Sequence, residues 1–536
     1  MFVKTAMVFV SGLAVIGLGT PLISALGCSA CTNAGHRIGL PGLAGLFVAA
    51  SLTLVINFFV PIGIFVALSL LALGLFLHVS WAPRLSPRDW LVYLALVIAI
   101  TPIAVLRPSG YDGGLYHLPH QHWMVTDKIV FGLANLHGRF GFNSLLEPLS
   151  ALGWFGGDVS AVPLLTALFG LFFLALVVEG IWRAQSQDNA SIVYVMTMFW
   201  LGYLCVTLPM PDWIGWTSTD LPSGIAVSAC IYCGLAAALG NDRNLLVLAF
   251  FFSGFAAALK LSGAFVVLFP LLLTFELILR GERDIPACRI LVAAALFLPW
   301  LASNFIVSGC LVYPIVSTCV PVFWHASQSA VNDIMWIKAW ARAPNTGLQH
   351  LTGWDWLPLW LAHNKYSLLT FAGLSVTGIV AAPALSSGRS TNRDLLPATA
   401  AFSIYAAAAT GIWFLAAPDP RFALGHIASL AMMPGLWLLA TARPVGSLLH
   451  GRFMPVLVVG LTLACSAAYS VRFGQGQEIV FLGYHRIEIP EIETQSDGSN
   501  TRPAEGDQCF LAPPPCSPYP AAPKWRFGPY DSYYRP

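Results

Sequence analysis

Charge is what this sequence has least of. Only 10% of its 536 residues are Asp, Glu, Lys or Arg, whereas soluble globular chains contain about 25%. Acidic residues (25) and basic residues (27) nearly balance. The net charge of +2 therefore gives no reason to propose nucleic acid as a partner. Any anionic ligand must be held by a local group of cations.

Hydrophobic residues make up 57% of the chain, and the mean hydropathy is +0.72. Apolar windows of the roughly 20 residues that a membrane helix needs recur from Thr5 to Ser470, about fourteen times. We therefore predict an all-α, polytopic integral membrane protein. The first window, Thr5–Leu26, also resembles a signal peptide, but its apolar run is longer than the roughly 7–15 residues of that signal, which favours a membrane helix.

Basic residues near helix ends predict the orientation, because short loops rich in Lys and Arg stay in the cytoplasm. Such residues fall in alternate loops, which should be cytoplasmic: Arg84, Arg88, Arg183, Arg243, Arg280, Arg283, Arg389, Arg393, Arg443 and Arg452. Lys4 weakly opposes this arrangement, because it leaves the amino terminus outside. The predicted segments are N-terminal membrane helices (1–106), a first large outer loop (107–161), a transmembrane core (162–307), an aromatic outer loop (308–366), C-terminal membrane helices (367–470) and an outward tail (471–536).

The first outer loop contains the densest polar chemistry, in the stretches Tyr111–Trp123 and Asn135–Ser144. Polar groups at membrane depth are costly unless they have a purpose, so this density indicates a site. Asp112 is the candidate general base for an incoming hydroxyl, and the two glycines after it allow a ligand to approach the backbone closely. The alternative is a turn in which Asp112 only caps backbone amides.

Several cationic or titratable side chains could accompany Asp112. His117, His120 and His122 suit hydrogen bonding to a phosphate or sugar better than metal ligation, because no clear carboxylate partner accompanies them. Arg139, beside His137, could hold a phosphate with two parallel hydrogen bonds.

Other outward positions carry isolated charges: Asp212 and Asp220 around the turn Trp213-Ile214-Gly215-Trp216, Lys260 between two apolar runs, and Arg421 in Pro418-Asp419-Pro420-Arg421-Phe422. Each of these residues either anchors a helix end at the membrane–water interface or contributes to the site around Asp112.

Tryptophans crowd the second large outer loop at positions 324, 336, 340, 354, 356 and 360. They could stack on sugars, but an interfacial aromatic belt is the favoured interpretation.

Eleven cysteines are scattered through the chain. Cys509 and Cys516 enclose a proline-rich stretch in the outward tail, where a disulfide is favoured over two unpaired thiols. Cys28 and Cys31 form a single CxxC pair, which does not favour zinc because a second pair is missing.

Several strings together resemble a family of bacterial multi-spanning proteins often met among surface-polysaccharide genes, which is similar to the GT-C superfamily of membrane glycosyltransferases. The strings are Tyr111-Asp112 with Tyr116-His117, Asn135 to Arg139 with Gly141 to Ser144, Thr219 to Pro222, Lys260 to Ser262, Ser308-Gly309 with Tyr313-Pro314, Pro418 to Phe422, and Cys509 to Tyr519. The resemblance runs from Asp112 to Cys516.

The resemblance implies a catalytic acid in an early outer loop and a sugar donor carried on polyprenyl phosphate. Asp112 takes the catalytic role. The residues assigned to the donor phosphate are Arg421, Lys260, Arg139, His117 and His137. Those assigned to the acceptor or sugar are Tyr111, Tyr116, His120, Asn143 and Asp220. Gly113 and Gly114 stand where the superfamily has a second acid, so no cofactor is assigned and a divalent cation stays open.

The sequence thus predicts a glycosyltransferase of GT-C type in the bacterial inner membrane, with its active site facing the periplasm. It would move a sugar, with inversion, from polyprenyl phosphate to a glycan or lipid acceptor. One alternative is a glycan polymerase or ligase of the O-antigen type, which uses diphosphate-linked donors. A transporter or flippase of lipid-linked sugar is another, disfavoured because the polar residues gather at one face and the halves show no repeat.

Overall fold

The computed structural model describes residues 1–28, 36–106, 109–187, 189–207, 217–240, 242–282, 284–385, 395–441, 453–474, 490–494, 501–519, 524–527 and 529–533. Within these ranges the chain is largely helical, and its strands are two short antiparallel pairs in the C-terminal tail. The prediction of an all-α polytopic membrane protein is confirmed.

The helices are α1 Phe2–Ala25, α2 Gly39–Asn57, α3 Ile64–Trp81, α4 Pro87–Val105, α5 Leu118–Thr126, α6 Leu146–Ala151, α7 Val162–Ser186, α8 Ala190–Thr207, α9 Asp220–Leu239, α10 Asn244–Leu259, α11 Leu268–Leu279, α12 Ala287–Ala295, α13 Leu298–Ser308, α14 Ser327–Arg342, α15 Leu357–His363, α16 Lys365–Leu385, α17 Leu395–Ala416, α18 Leu424–Thr441 and α19 Met454–Gly474. A π-helix spans Gly113–His117, and 3₁₀ turns span Leu133–Asn135, Gly138–Phe142, Leu261–Val267, Val316–Thr318 and Pro420–Ala423. The strands are β1 Ile492–Thr494, β2 Thr501–Pro503, β3 Lys524–Phe527 and β4 Tyr530–Tyr533.

Thirteen helical segments among the described residues are long and apolar enough to cross a membrane. Fourteen windows were predicted, and the difference is the window Leu245–Leu259. It forms α10, whose 16 residues are fewer than the roughly 20 that cross a bilayer unaided. Helices are the expected solution in lipid, because each satisfies its own backbone hydrogen bonds there.

The buried share of each apolar helix distinguishes a central helix from a peripheral one. In α7, 94% of the apolar window is buried against other parts of the protein, whereas in α3 the buried share is 11%. Close helix contacts are made through glycine: a Cβ at Gly45 would lie 1.8 Å from the carbonyl oxygen of Val15, and one at Gly17 would lie 2.0 Å from that of Gly74. Small residues of this kind let membrane helices pack tightly without a hydrophobic driving force.

One end of the bundle contains the described members of the predicted cytoplasmic arginines, and three of them have side-chain partners there: Arg88, Arg243 and Arg280. Arg243 binds Glu282 at 2.7 Å, and the Arg88 guanidinium lies 3.0 Å from the Trp182 ring centroid. Nearby, the buried Glu179 carboxylate accepts the backbone N–H groups of residues 37–39, where α2 begins. It thereby satisfies donors that a helix start otherwise leaves without partners.

The other end of the bundle contains the long loops, and two disulfides lie there. Cys509 and Cys516 are joined in the tail, which is the pairing favoured from the sequence. Cys310 and Cys319 are joined at the start of the aromatic outer loop, a pairing that the sequence did not indicate.

Candidate active site

Four segments of the chain meet at the loop-bearing end of the bundle. They are the start of the first outer loop, the first residue of α9, the junction after α10 and the turn before α18. Each contributes one charged side chain, namely Asp112, Asp220, Lys260 and Arg421. These residues lie up to 309 positions apart in the chain.

Arg421 is the centre of this group. Its Nη1 donates to Oδ2 of Asp112 at 3.2 Å, and its Nε donates to Oδ2 of Asp419 at 3.2 Å. The guanidinium carbon also lies 4.7 Å from the centroid of the Trp340 ring. The Arg421 side chain is 18% exposed and that of Asp112 is 30% exposed, so a ligand can reach both.

The backbone turn that presents Arg421 is held by hydrogen bonds at each step. Oδ1 of Asp419 accepts the Arg421 backbone N–H at 3.0 Å, and Pro420 fixes the backbone at the start of the 3₁₀ turn. Two indole N–H groups bind the carbonyls of the turn: Trp360 donates to Pro418, and Trp413 donates to Asp419 at 2.8 Å. Arg421 is therefore presented by a fixed backbone.

Lys260 forms the second cationic position. It pairs with Oδ1 of Asp220, whose other oxygen accepts the Ser218 hydroxyl at 2.8 Å. Its ammonium nitrogen lies 4.1 Å from the centroid of the Phe422 ring, directly after Arg421. Lys260 has extended backbone, which ends α10 there and separates it from the 3₁₀ turn that follows.

The charges around Asp112 determine its basicity. Burial raises the pKa of the Asp112 carboxyl, but nearby positive charge, that of Arg421 foremost, more than offsets this and leaves the pKa below its ordinary value. Arg139 and Lys260 act in the same direction. Asp112 is thus ionised while Arg421 holds it. Its side chain makes no capping bond to the π-helix that it precedes, which excludes the simple capping role there.

Arg139 lies in a second polar group beside the first. Its Nε is 3.4 Å from Oδ1 of Asp333 on α14, and the Tyr313 hydroxyl donates to Oδ2 of Asp333 at 2.7 Å. His137 accepts the Arg139 backbone N–H through Nδ1 at 3.1 Å, so its proton is on Nε2. That Nε2 is buried and has no partner among the described residues.

The remaining histidines of the first outer loop point to separate partners. His117 pairs with the buried Glu147, which also accepts the Gln121 amide at 2.8 Å. His120 is buried beside Phe140, and burial lowers its pKa to about 4. In the part of the chain that the structure describes, no three His, Cys, Asp or Glu side chains are arranged to share a metal ion.

The comparisons with known proteins identify a family. A family model described as "Domain of unknown function (DUF8201)" matches residues 1–428. The chain belongs to the DUF8201 family. No curated protein and no solved structure matches it. The matched region of this DUF8201 chain contains Asp112, Asp220, Lys260 and Arg421, whereas the disulfide-bonded tail lies beyond it.

In this DUF8201 chain the tail packs directly on the Asp112 segment. The Tyr111 hydroxyl donates to Asp507, and the Gln508 amide donates to the Tyr111 carbonyl at 2.7 Å. The Phe510 N–H donates to the Gly114 carbonyl at 2.9 Å, and a Cβ at Gly114 would lie 2.5 Å from the Phe510 ring. The close approach that this glycine permits is therefore made by the tail.

Other predicted site residues of the DUF8201 chain are not brought to Arg421. The Asn143 amide binds Ser303 at 2.7 Å and Asn304 at 3.1 Å on α13. It thus attaches the first outer loop to the bundle. Trp356 and Trp360 are buried around the turn before α18 rather than forming a belt, whereas Trp336 is 50% exposed. Asp212, the turn Trp213–Trp216 and Cys31 lie outside the described residues.

Three acids at the site of the DUF8201 chain were not predicted from the sequence, namely Asp333, Asp419 and Glu147, and Trp340 was named only as one of the tryptophans of its loop. Asp419 was in a quoted motif but received no role. No signal singled out Asp333 or Glu147, because each is one of several charged residues in its outer loop. No sequence signal distinguishes Trp340 from the other tryptophans of its loop.

Proposed function

We propose that this protein is a GT-C-type glycosyltransferase of the bacterial inner membrane. It transfers a sugar from a polyprenyl-phosphate donor to a glycan or lipid acceptor on the periplasmic face. The observation that carries the proposal is the ion pair of Arg421 with Asp112, flanked by Lys260 at the end of the membrane-spanning helices. It unites a base with phosphate-binding cations in one place.

The position of the cations suits a lipid phosphate. Arg421 is the second residue of the span Pro420–Thr441, and Lys260 immediately precedes the span Leu261–Leu279. A phosphate held by both would lie at the boundary of the apolar helices, and its isoprenoid chain would lie beside them in lipid. Arginine can bind two phosphate oxygens at once, and lysine adds a compact second charge.

The reaction is one direct displacement. The acceptor hydroxyl gives its proton to the Asp112 carboxylate while its oxygen forms a bond to the anomeric carbon of the sugar. The bond from that carbon to the phosphate oxygen breaks, its electron pair leaves with the phosphate, and the configuration inverts. Because negative charge grows on the phosphate, Arg421 and Lys260 stabilise the transition state more than the ground state.

The existing ion pair connects donor binding to base strength. Before the donor arrives, Arg421 is held by Asp112 and Asp419. A phosphate that takes the guanidinium from Asp112 removes the charge that lowers the pKa of that carboxyl. Asp112 then becomes a stronger base when the donor is in place.

Asp112→Asn tests the proposal because the amide cannot accept the acceptor proton. We expect a normally folded protein whose transfer of sugar from polyprenyl phosphate is at least about 100-fold slower than wild type, as is typical when a general base is lost. Asp507→Asn, which removes a neighbouring acid in the tail, is the matched control and should retain most activity. Wild-type transfer by Asp112→Asn would eliminate this carboxylate from the mechanism.

The second cation supports one competing function, because Arg421 and Lys260 together could also bind a diphosphate. A glycan polymerase or ligase of the O-antigen type would use such a donor. Supplying the purified protein with monophosphate-linked and diphosphate-linked sugars separately distinguishes the two. We expect transfer from the monophosphate; transfer from the diphosphate alone would establish the competing function.

A further inference from the structure

Helix α14 (Ser327–Arg342) lies across both arginines of the site. Its Asp333 pairs with Arg139 at 3.4 Å, and its Trp340 ring centroid lies 4.7 Å from the guanidinium carbon of Arg421. Seven residues are two helical turns, so Asp333 and Trp340 share one face of α14 and lie about 10 Å apart along it. One helix face thus extends from one guanidinium to the other.

The region beneath this face contains further polar groups. Burial and the nearby Asp112 carboxylate raise the pKa of the Tyr116 hydroxyl, and the charges of Arg139 and Arg421 act in the opposite direction. This hydroxyl has no hydrogen-bond partner within the described ranges. His137, beside Arg139, has a buried Nε2–H donor that likewise lacks one there. A buried donor without a partner is destabilising, and a ligand hydroxyl that accepts its hydrogen bond would remove that penalty.

We propose that the region between Arg139 and Arg421 beneath α14 binds the sugar of the lipid donor, an assignment that rests on the proposed function. The phosphate is at Arg421, and the sugar ring lies against the part of Trp340 that Arg421 leaves open. Trp340 is 39% exposed, so this surface is accessible. The outer hydroxyls of the sugar meet Arg139, Asp333 and the His137 donor.

The charges select an uncharged sugar. Arg139 and Asp333 neutralise each other, so this end of the region offers hydrogen bonds without a net positive charge. A sugar with its own carboxylate would face both Asp333 and Asp112, and like charges placed together in this way are costly. The substrate class is therefore a polyprenyl-phosphate-linked neutral sugar, for which the hexose lipids below serve as probes.

Binding of lipids with and without a sugar tests this assignment. The probes are polyprenyl phosphate, polyprenyl phosphate glucose, polyprenyl phosphate mannose and polyprenyl phosphate glucuronate, each titrated into the full-length protein in detergent. We expect Trp340→Ala to weaken the better-bound hexose lipid about 5- to 10-fold, the size of a lost aromatic contact, with polyprenyl phosphate changed less than about 3-fold. Trp336→Ala, on the same helix but without contact to Arg421, is the matched control.

Asp333→Asn tests the charge selection separately. In the wild type the glucuronate lipid should bind at least about 10-fold more weakly than the hexose lipid, and Asp333→Asn should reduce that difference. Equal affinity of the wild type for both lipids would overturn the selection. A Trp340→Ala protein that loses affinity equally for all lipids, or hexose lipids that bind no better than polyprenyl phosphate, would overturn the sugar subsite.

Failure of the subsite differs from failure of the proposed function. If polyprenyl phosphate binds and Arg421→Ala weakens it, the phosphate site stands whatever the sugar does. If polyprenyl phosphate does not bind, or if Arg421→Ala leaves its affinity unchanged, the proposed function itself is wrong and the sugar assignment falls with it.

Discussion

At the scale of single residues, Arg421 has two carboxylate partners before any ligand binds. A donor phosphate must replace Asp112 at the guanidinium, while Asp419 keeps the arginine in place through both its backbone and side chain. The pair is partly exposed, and pairs of that kind contribute about 1 kcal/mol or less. A phosphate can therefore displace the Asp112 carboxylate from Arg421, because it binds arginine through two oxygens.

This exchange predicts an effect of Asp112→Asn on binding that is opposite to its effect on transfer. With the competing carboxylate removed, polyprenyl phosphate should bind about 3- to 10-fold more tightly than to the wild type, as measured by titration in detergent. Asp507→Asn should leave the affinity unchanged, because Asp507 pairs with Tyr111 instead. Weaker binding by Asp112→Asn would show that this carboxylate helps to hold the donor.

His137 predicts a dependence of stability on pH. Burial, with the nearby charge of Arg139, lowers the pKa of His137 to about 3, whereas histidine in an unfolded chain titrates near about 6.5. Between these values the unfolded chain binds more protons than the folded one, so stability falls as the pH drops from about 7 to about 4.

His137→Asn keeps an acceptor for the Arg139 backbone N–H but does not titrate. Its melting temperature should therefore fall less than that of the wild type between about pH 7.5 and pH 5. The exposed His363 provides the control, since His363→Asn should follow the wild type. An unchanged pH response in His137→Asn would contradict the buried neutral imidazole.

At the scale of structural elements, the site depends on how the turn before α18 and the first outer loop are held in place. Indole N–H groups from Trp360 and Trp413 bind the carbonyls of the turn before α18, so the aromatic loop and α17 fix the direction of Arg421. The first outer loop is fixed by its own buried bonds, such as that of Glu147 with Gln121, and by the tail. These contacts within the protein position the charged groups.

The tail disulfide should matter for transfer more than for donor binding. Cys509 and Cys516 flank the segment whose Phe510 binds Gly114, two residues after Asp112. In a Cys509→Ser/Cys516→Ser double variant this segment loosens, and we expect the turnover number to fall about 10-fold, because small displacements of a catalytic group are costly. The affinity for polyprenyl phosphate, which depends on Arg421, should change by less than about 3-fold.

Replacement of the exposed Cys288 by Ser is the control for loss of a cysteine as such. The positioning role is tested by the contrast between turnover and binding. Equal loss of both would indicate general unfolding of this end of the protein, and loss of neither would remove the tail from the mechanism.

At the scale of the whole molecule, composition and recurring long apolar runs were enough to predict a multi-pass helical membrane protein. Helix number was also close, because the length of an apolar run is set by bilayer thickness. α10 is the helix for which this prediction was inexact. Its apolar run ends at Lys260, and run length alone does not reveal that the helix stops there and a 3₁₀ turn follows.

The site was only partly predictable for a physical reason. Lys260 and Arg421 stood out because isolated charges are rare in apolar sequence, and Asp112 stood out because its loop is unusually polar. Which of these charges pair was not predictable, since the contact of Arg421 with Asp112 across 309 residues depends on how helices pack. The packing of the tail on the first outer loop was also not predictable, because no local sequence pattern indicates that Phe510 packs against Gly114.

The most direct measurement is an experimental structure of the protein in lipid with polyprenyl phosphate mannose or glucose bound. We expect phosphate oxygens within hydrogen-bond distance of Arg421 and Lys260, with Asp112 released from Arg421 and beside the anomeric carbon. A donor phosphate bound elsewhere, with the ion pair of Arg421 and Asp112 intact, would contradict it.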